Sequence, residues 1–145
     1  MIAQQSPSTV HTPDRADWLR LGIGAALLSA AAVVISQLTA LAIWPELIAF
    51  EPLNLPPRSA LLTALPALAA AGVLAWLDRR VRRPERTFVI VSAAVLLLSI
   101  PPDYLLPIAG KTLLASTVTA ALHVVAGVVT VAVLLTGYRT LHPDA

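Results

Sequence analysis

The stretch LGIGAALLSAAAVVISQLTALAIWP, residues 21–45, runs for 25 positions without a charged side chain. A helix that crosses a hydrocarbon core of ~30 Å needs about 20 apolar residues. A cleaved signal peptide offers only about 7–15 apolar residues, so a retained membrane span is expected here. Three further uncharged apolar runs follow, at residues 59–77, 87–102 and 112–138.

Four such runs leave little chain for a soluble fold. Hydrophobic residues make up 57% of the sequence and charged residues 12%, about half the usual share of roughly 25%. The expected fold is all-α, an up-down-up-down bundle of four transmembrane helices with no sheet. The membrane domain covers residues 18–139, with spans at about 19–44, 59–77, 85–106 and 112–138. Residues 1–17, polar and carrying two prolines, read as a disordered cytoplasmic tail, and residues 140–145 as a short cytoplasmic C-terminal one.

Charge sets the orientation. Arg15 and Arg20, the connection with Arg79, Arg80, Arg82, Arg83 and Arg86, and Arg139 all fall on one side of a four-span chain. Arg58 and Lys111 fall on the other. The positive-inside bias then puts both termini in the cytoplasm of a multi-pass cell-membrane protein. The five arginines of residues 78–86 (DRRVRRPER) are positioned for topology and for lipid headgroups of the bilayer. Arginines beside apolar runs do not form the basic face a nucleic acid needs, so nucleic-acid binding is not expected. Trp18, Trp76 and Tyr138 at one set of boundaries, and Trp44 and Tyr104 at the other, read as headgroup-level anchors. Pro84 suits a first helical position, with Glu85 near the positive helix end.

Small residues four apart let helices approach closely in lipid. Gly22, Ala26 and Ala30 form one such row, Ala32, Ser36 and Ala40 another, and Ala67, Ala71 and Ala75 a third. These rows read first as contacts within the chain, with a homo-oligomer or membrane-protein partner as the other use. Leu47, Ile48 and Phe50 read as a segment lying at the membrane interface. Pro101 and Pro102 free the carbonyls of Leu97 and Leu98. Residues 87–100 alone reach only ~21 Å as a helix, so a span that continues through the prolines would keep Asp103 in the outer bilayer.

The most informative local pattern lies in the fourth run. Thr112, Ser116, Thr119, His123, Gly127 and Thr130 recur at steps of four and three and share one helix face. Ser92, Ser99 and Asp103 do the same on the third. An ionisable residue within a span normally faces the bundle interior and has a partner. His123, Ser99, Asp103, Thr119 and Ser116 are therefore the candidate polar cluster. In its structural form His123 bonds Ser99 or a proline-freed carbonyl. In its functional form His123 and Asp103 belong to a proton or solute path. Gln37 reads as a bond to a neighbouring helix.

Motifs for chemistry are missing. No cysteine is present, which excludes disulfides and thiolate sites. There is no nucleophile elbow, phosphate loop or paired-histidine motif, and a lone span histidine cannot provide bis-histidine haem ligation. A non-enzymatic protein with no cofactor and no metal is expected: an accessory or interaction protein first, a small oligomeric transporter or proton-coupled carrier second. SIPPD (residues 99–103) followed by a threonine-rich fourth run with Ala121-Leu122-His123 resembles a family of small four-span bacterial and archaeal integral membrane proteins of unassigned function. The resemblance implies a four-helix membrane architecture and assigns no activity.

Overall fold

Asp14 starts the first helix. Its carboxylate accepts the Asp17 backbone N–H at 2.8 Å, while the Asp17 carboxylate accepts the Asp14 N–H at 3.1 Å. This reciprocal pair satisfies two of the donors that a helix start leaves open. Helix α1, Arg15–Ile43, therefore begins inside the segment, residues 1–17, that was expected to be a disordered tail. The structure, a computed structural model, describes residues 13–143. Most of the expected N-terminal tail and the last two residues lie outside the described residues.

Two short 3-10 turns, Pro45–Ala49 and Glu51–Leu53, lead to α2, Pro56–Asp78. A tight turn follows, and α3, Pro84–Ser99, begins with proline in its first turn and Glu85 beside it. Ile100 keeps helical backbone angles, and α4, Pro101–Leu105, continues the course of α3. Thr112 caps the N-terminus of α5, Leu113–Leu141, by accepting the Ala115 N–H at 3.1 Å. Among the described residues all regular structure is helical, with no strand. Four helical stretches, Arg15–Ile43, Pro56–Asp78, Pro84–Leu105 and Leu113–Leu141, are long and apolar enough to cross a membrane. This is the architecture of a multi-pass membrane protein.

Helix α1 is the centre of the packing, touching α2 and α5 most extensively. Its buried residues include Gly22, Ala25, Ala26, Ser29 and Val33, a narrow face of small side chains. A Cβ placed on Gly22 would sit 3.0 Å from the Ala71 Cβ, so α1 and α2 are as close as glycine allows. Contacts join the start of one helix to the end of the next: Gly22 with Ala71, Trp18 with Tyr138, Glu85 with Arg139. Those neighbours therefore run antiparallel.

Two apolar clusters form the core. At the end carrying the 79–83 turn (the arginine end), Trp18, Leu74, Phe88 and Leu134 pack together. At the opposite, proline-rich end, Leu47, Phe50 and Leu53 meet Val33, Ala40, Ala115 and Leu122. This corrects the interfacial reading of the first connection. Leu47 and Phe50 are only 2% exposed and plug the bundle, leaving Ile48 outside. Gly110, at φ +73°, closes the last turn where its Cα comes up against the Ala49 carbonyl, a position with no room for a side chain.

The aromatic reading needs a second correction. Trp18 and Tyr138 are buried against each other, with ring centroids 6.2 Å apart, and Tyr138 stacks on His142 at 4.3 Å. Tyr138 also donates to Asp78 at 2.8 Å. These rings tie α1, α2 and α5 together, whereas Trp76 is exposed as an anchor would be. The expected C-terminal tail begins instead as the last turn of α5, with His142 in this knot.

Candidate functional site

Helix α5 carries its hydroxyl and imidazole groups along one face, and three other elements meet that face at different depths. Deepest toward the arginine end, the Thr130 and Ser29 hydroxyls bond at 2.8 Å, joining α5 to α1 in a buried contact. Midway, a Cβ on Gly127 would touch Leu96 at 3.3 Å, so this glycine is where α3 rests on α5. Near the proline end, Ser116 donates to the Asp103 backbone carbonyl at 2.7 Å and fastens α4.

His123 and Asp103 come together between these fastenings. The imidazole Nδ1 lies 3.1 Å from Asp103 Oδ2 and 3.1 Å from the Thr119 carbonyl. A carbonyl oxygen only accepts, so Nδ1 is assigned the proton and points it along its own helix. Asp103 Oδ2 sits beside that bond, buried and without an aligned donor. The Asp103 side chain is 13% exposed and that of His123 41%. The pair occupies a wall, with the ring edge open and the carboxylate recessed.

The expected His123–Ser99 bond is not formed. Ser99 donates to the Leu96 carbonyl of its own helix at 2.7 Å, the usual competitor for a serine hydroxyl in a helix. Thr119 likewise donates to Ala115 at 3.0 Å. Ser99, Asp103, Thr119 and His123 do share one wall, that of a cavity of about 740 Å³ between α2, α3 and α5. Ser116 lies outside that lining and acts on the site through the Asp103 carbonyl. The volume falls within the range of about 300–1,000 Å³ typical of small-ligand sites.

The cavity exists because α2 and α3 diverge from the 79–83 turn. Thr63, Pro66 and Ala70 of α2 face Val91, Val95 and Ser99 of α3 across it, and α5 forms the floor. Most of its polar groups gather at the proline end, with Ser92 and Thr130 deeper. Toward the arginine end it is walled by Val73, Phe88 and Val131.

Several contacts were not legible beforehand. Gln37 donates to the Leu53 carbonyl at 2.8 Å and so holds the connection, where a bond to a neighbouring helix was expected. Glu51 pairs with Arg58 at 2.8 Å. Lys111 donates to the Tyr104 and Leu106 carbonyls at 2.6 and 2.8 Å, closing the end of α4. Glu85 and Arg139 form a two-pronged pair, at 2.9 and 3.2 Å, fixing the start of α3 to the end of α5. Arg79, Arg80, Arg82, Arg83 and Arg86 are all exposed around the turn.

No curated protein and no solved structure matches the chain. A family of unknown function, DUF6069, matches residues 13–140, which take in the four membrane-length helices up to the last residue of the fourth, and both members of the His123–Asp103 pair. With nearly its whole length matched, the chain belongs to the DUF6069 family.

Proposed function

We propose that this chain is a non-enzymatic, multi-pass protein of the cell membrane that binds a small membrane-soluble ligand between α2, α3 and α5 and carries it. His123 and Asp103 are its polar contact. The observation behind this reading is that the polar stripe borders a cavity of about 740 Å³, where a scaffold would have a filled helix contact. A recessed carboxylate beside an imidazole is the kind of intramembrane pair that marks proton and solute paths. The arginine end and both termini face the cytoplasm on the positive-inside bias, with the exposed arginines of the turn among lipid headgroups.

A chain without cysteine allows a direct test. In vesicles, a small water-soluble thiol reagent should modify Ser99→Cys on the cavity wall. It should leave Ala25→Cys, at a position 0% exposed, untouched. Equal resistance of the two would mean that the cavity is closed in lipid, and the ligand reading would fall.

The second reading, an accessory or interaction protein that assembles with itself or another membrane protein, draws on α3. Leu97 and Leu98 are exposed, and the span containing them is the least buried of the four. Oxidative cross-linking of Leu98→Cys separates the two. A high yield of dimer at low protein-to-lipid ratio favours assembly through α3.

A further inference from the structure

At the polar end of the cavity three hydroxyls have spent their protons on backbone carbonyls, while Arg58 and Ser59 of α2, which also line it, keep donors. Ser99 gives its proton to Leu96, Thr119 to Ala115, and Thr63 to Ser59, at 2.7, 3.0 and 2.8 Å. Each hydroxyl oxygen keeps lone pairs to accept with. With the His123 proton on Nδ1, its Nε2 is an acceptor in the neutral ring. Asp103 Oδ2 adds a buried oxygen with no aligned donor.

Of the two cations at this end, Arg58 of the lining is ion-paired through one nitrogen, and Lys111, outside the lining, is bonded to backbone carbonyls. Arg58 is held by Glu51 at 2.8 Å, and Lys111 by the Tyr104 and Leu106 carbonyls. Beside Asp103 a carboxylate or phosphate head would meet lone pairs with no donor to answer it. A positively charged head with N–H donors would supply the donor that the buried Asp103 Oδ2 lacks. Charged hydrogen bonds of this kind are roughly twice as strong as neutral ones.

The rest of the cavity specifies the other half of the ligand. On α2 it extends from Arg58 to Val73, a rise of ~22 Å at 1.5 Å per residue. Beyond the polar end its walls are mainly alanine, valine and leucine; Ser92 is the polar exception, and the deep hydroxyl of Thr130 is already bonded to Ser29. A single apolar chain lying along the helices fills such a space, with its head beside Asp103.

We infer that the ligand is a single-chain amphiphile with a primary-ammonium head, bound with the head at Asp103 and His123 and the chain running toward Phe88. This rests on the reading above that the cavity takes a ligand.

The test uses the full chain in lipid nanodiscs and three probes of one chain length: dodecylamine, dodecanol and dodecanoate. Binding is measured by native mass spectrometry against empty nanodiscs, which removes simple partitioning. Dodecylamine should bind about tenfold more tightly than dodecanoate, with dodecanol between them. Asp103→Asn should erase the amine preference and Asp103→Glu should keep it. The preference is a ratio within one variant and does not depend on how much of it folds. Ala69→Phe, which fills the exposed α2 side of the cavity, should weaken all three probes.

An Ala69→Phe-sensitive binding with no preference for the amine, or with dodecanoate tightest, would overturn the inference and leave the ligand reading standing. Absence of any binding sensitive to Ala69→Phe would remove both.

Discussion

Gly22 and Gly24 sit two positions apart on α1 and differ in what surrounds them. A methyl group at Gly22 would press on the Ala71 Cβ at 3.0 Å, whereas nothing lies within 4 Å of the same atom at Gly24. Gly22→Ala should therefore destabilise the bundle by about 1–3 kcal/mol through overpacking against α2. Gly24→Ala should be neutral, or stabilising by about 0.5–1 kcal/mol from helix propensity. Denaturation in mixed micelles, followed by the fluorescence of Trp18, reads both. The same assay applies to Ser29 and Thr130, whose hydroxyls bond 2.8 Å apart in a buried contact. A double-mutant cycle with Ser29→Ala and Thr130→Val should give a coupling of about 0.6 kcal/mol, at most near 1.7. Gln37→Leu removes the donor from the Leu53 carbonyl and should cost about 1–3 kcal/mol. It should also loosen the plug formed by Leu47 and Phe50, seen as faster proteolysis of residues 45–55.

At the scale of elements, α3 is the exception. It has one buried residue, Phe88, and meets α5 through Gly127 and its two ends. Spin labels on Val91 should therefore report greater mobility than labels on Ala26 of α1. Glu85→Gln should raise that mobility further by releasing the start of α3 from Arg139. Unchanged spectra would mean that α3 is held by packing along its length. The existence of this helix was legible in an uncharged run ended by two prolines, and its start in Pro84 and Glu85. The rotation of each helix was not. A span that is apolar all round carries little periodicity to say which face turns inward, so Trp18 and Tyr138 passed for headgroup anchors while they in fact bind each other. The stripe on α5 was readable because its residues are polar against an apolar background. Its meeting with Asp103 depended on Ile100 carrying the helix past two prolines, and that is set by backbone angles. The capping box escaped notice because Asp17 takes the place usually held by Glu or Gln.

For the molecule as a whole, orientation is the first quantity to measure. With an impermeant thiol reagent on intact cells, Ile48→Cys at the proline end should label and Arg82→Cys in the turn should not. The opposite pattern would invert the proposed cytoplasmic placement of the termini. Beyond orientation, the way α3 is fastened has a mechanical consequence. Its start is clasped by Arg139, and its continuation is moored by Ser116 through the Asp103 backbone. Its middle leans on little more than a glycine. A rod pinned at both ends and slack between them bows sideways without slipping along its axis. If the proposed ligand reading holds, cargo of varied girth would pass in through that bulging flank, and neither rim of the protein would have to open.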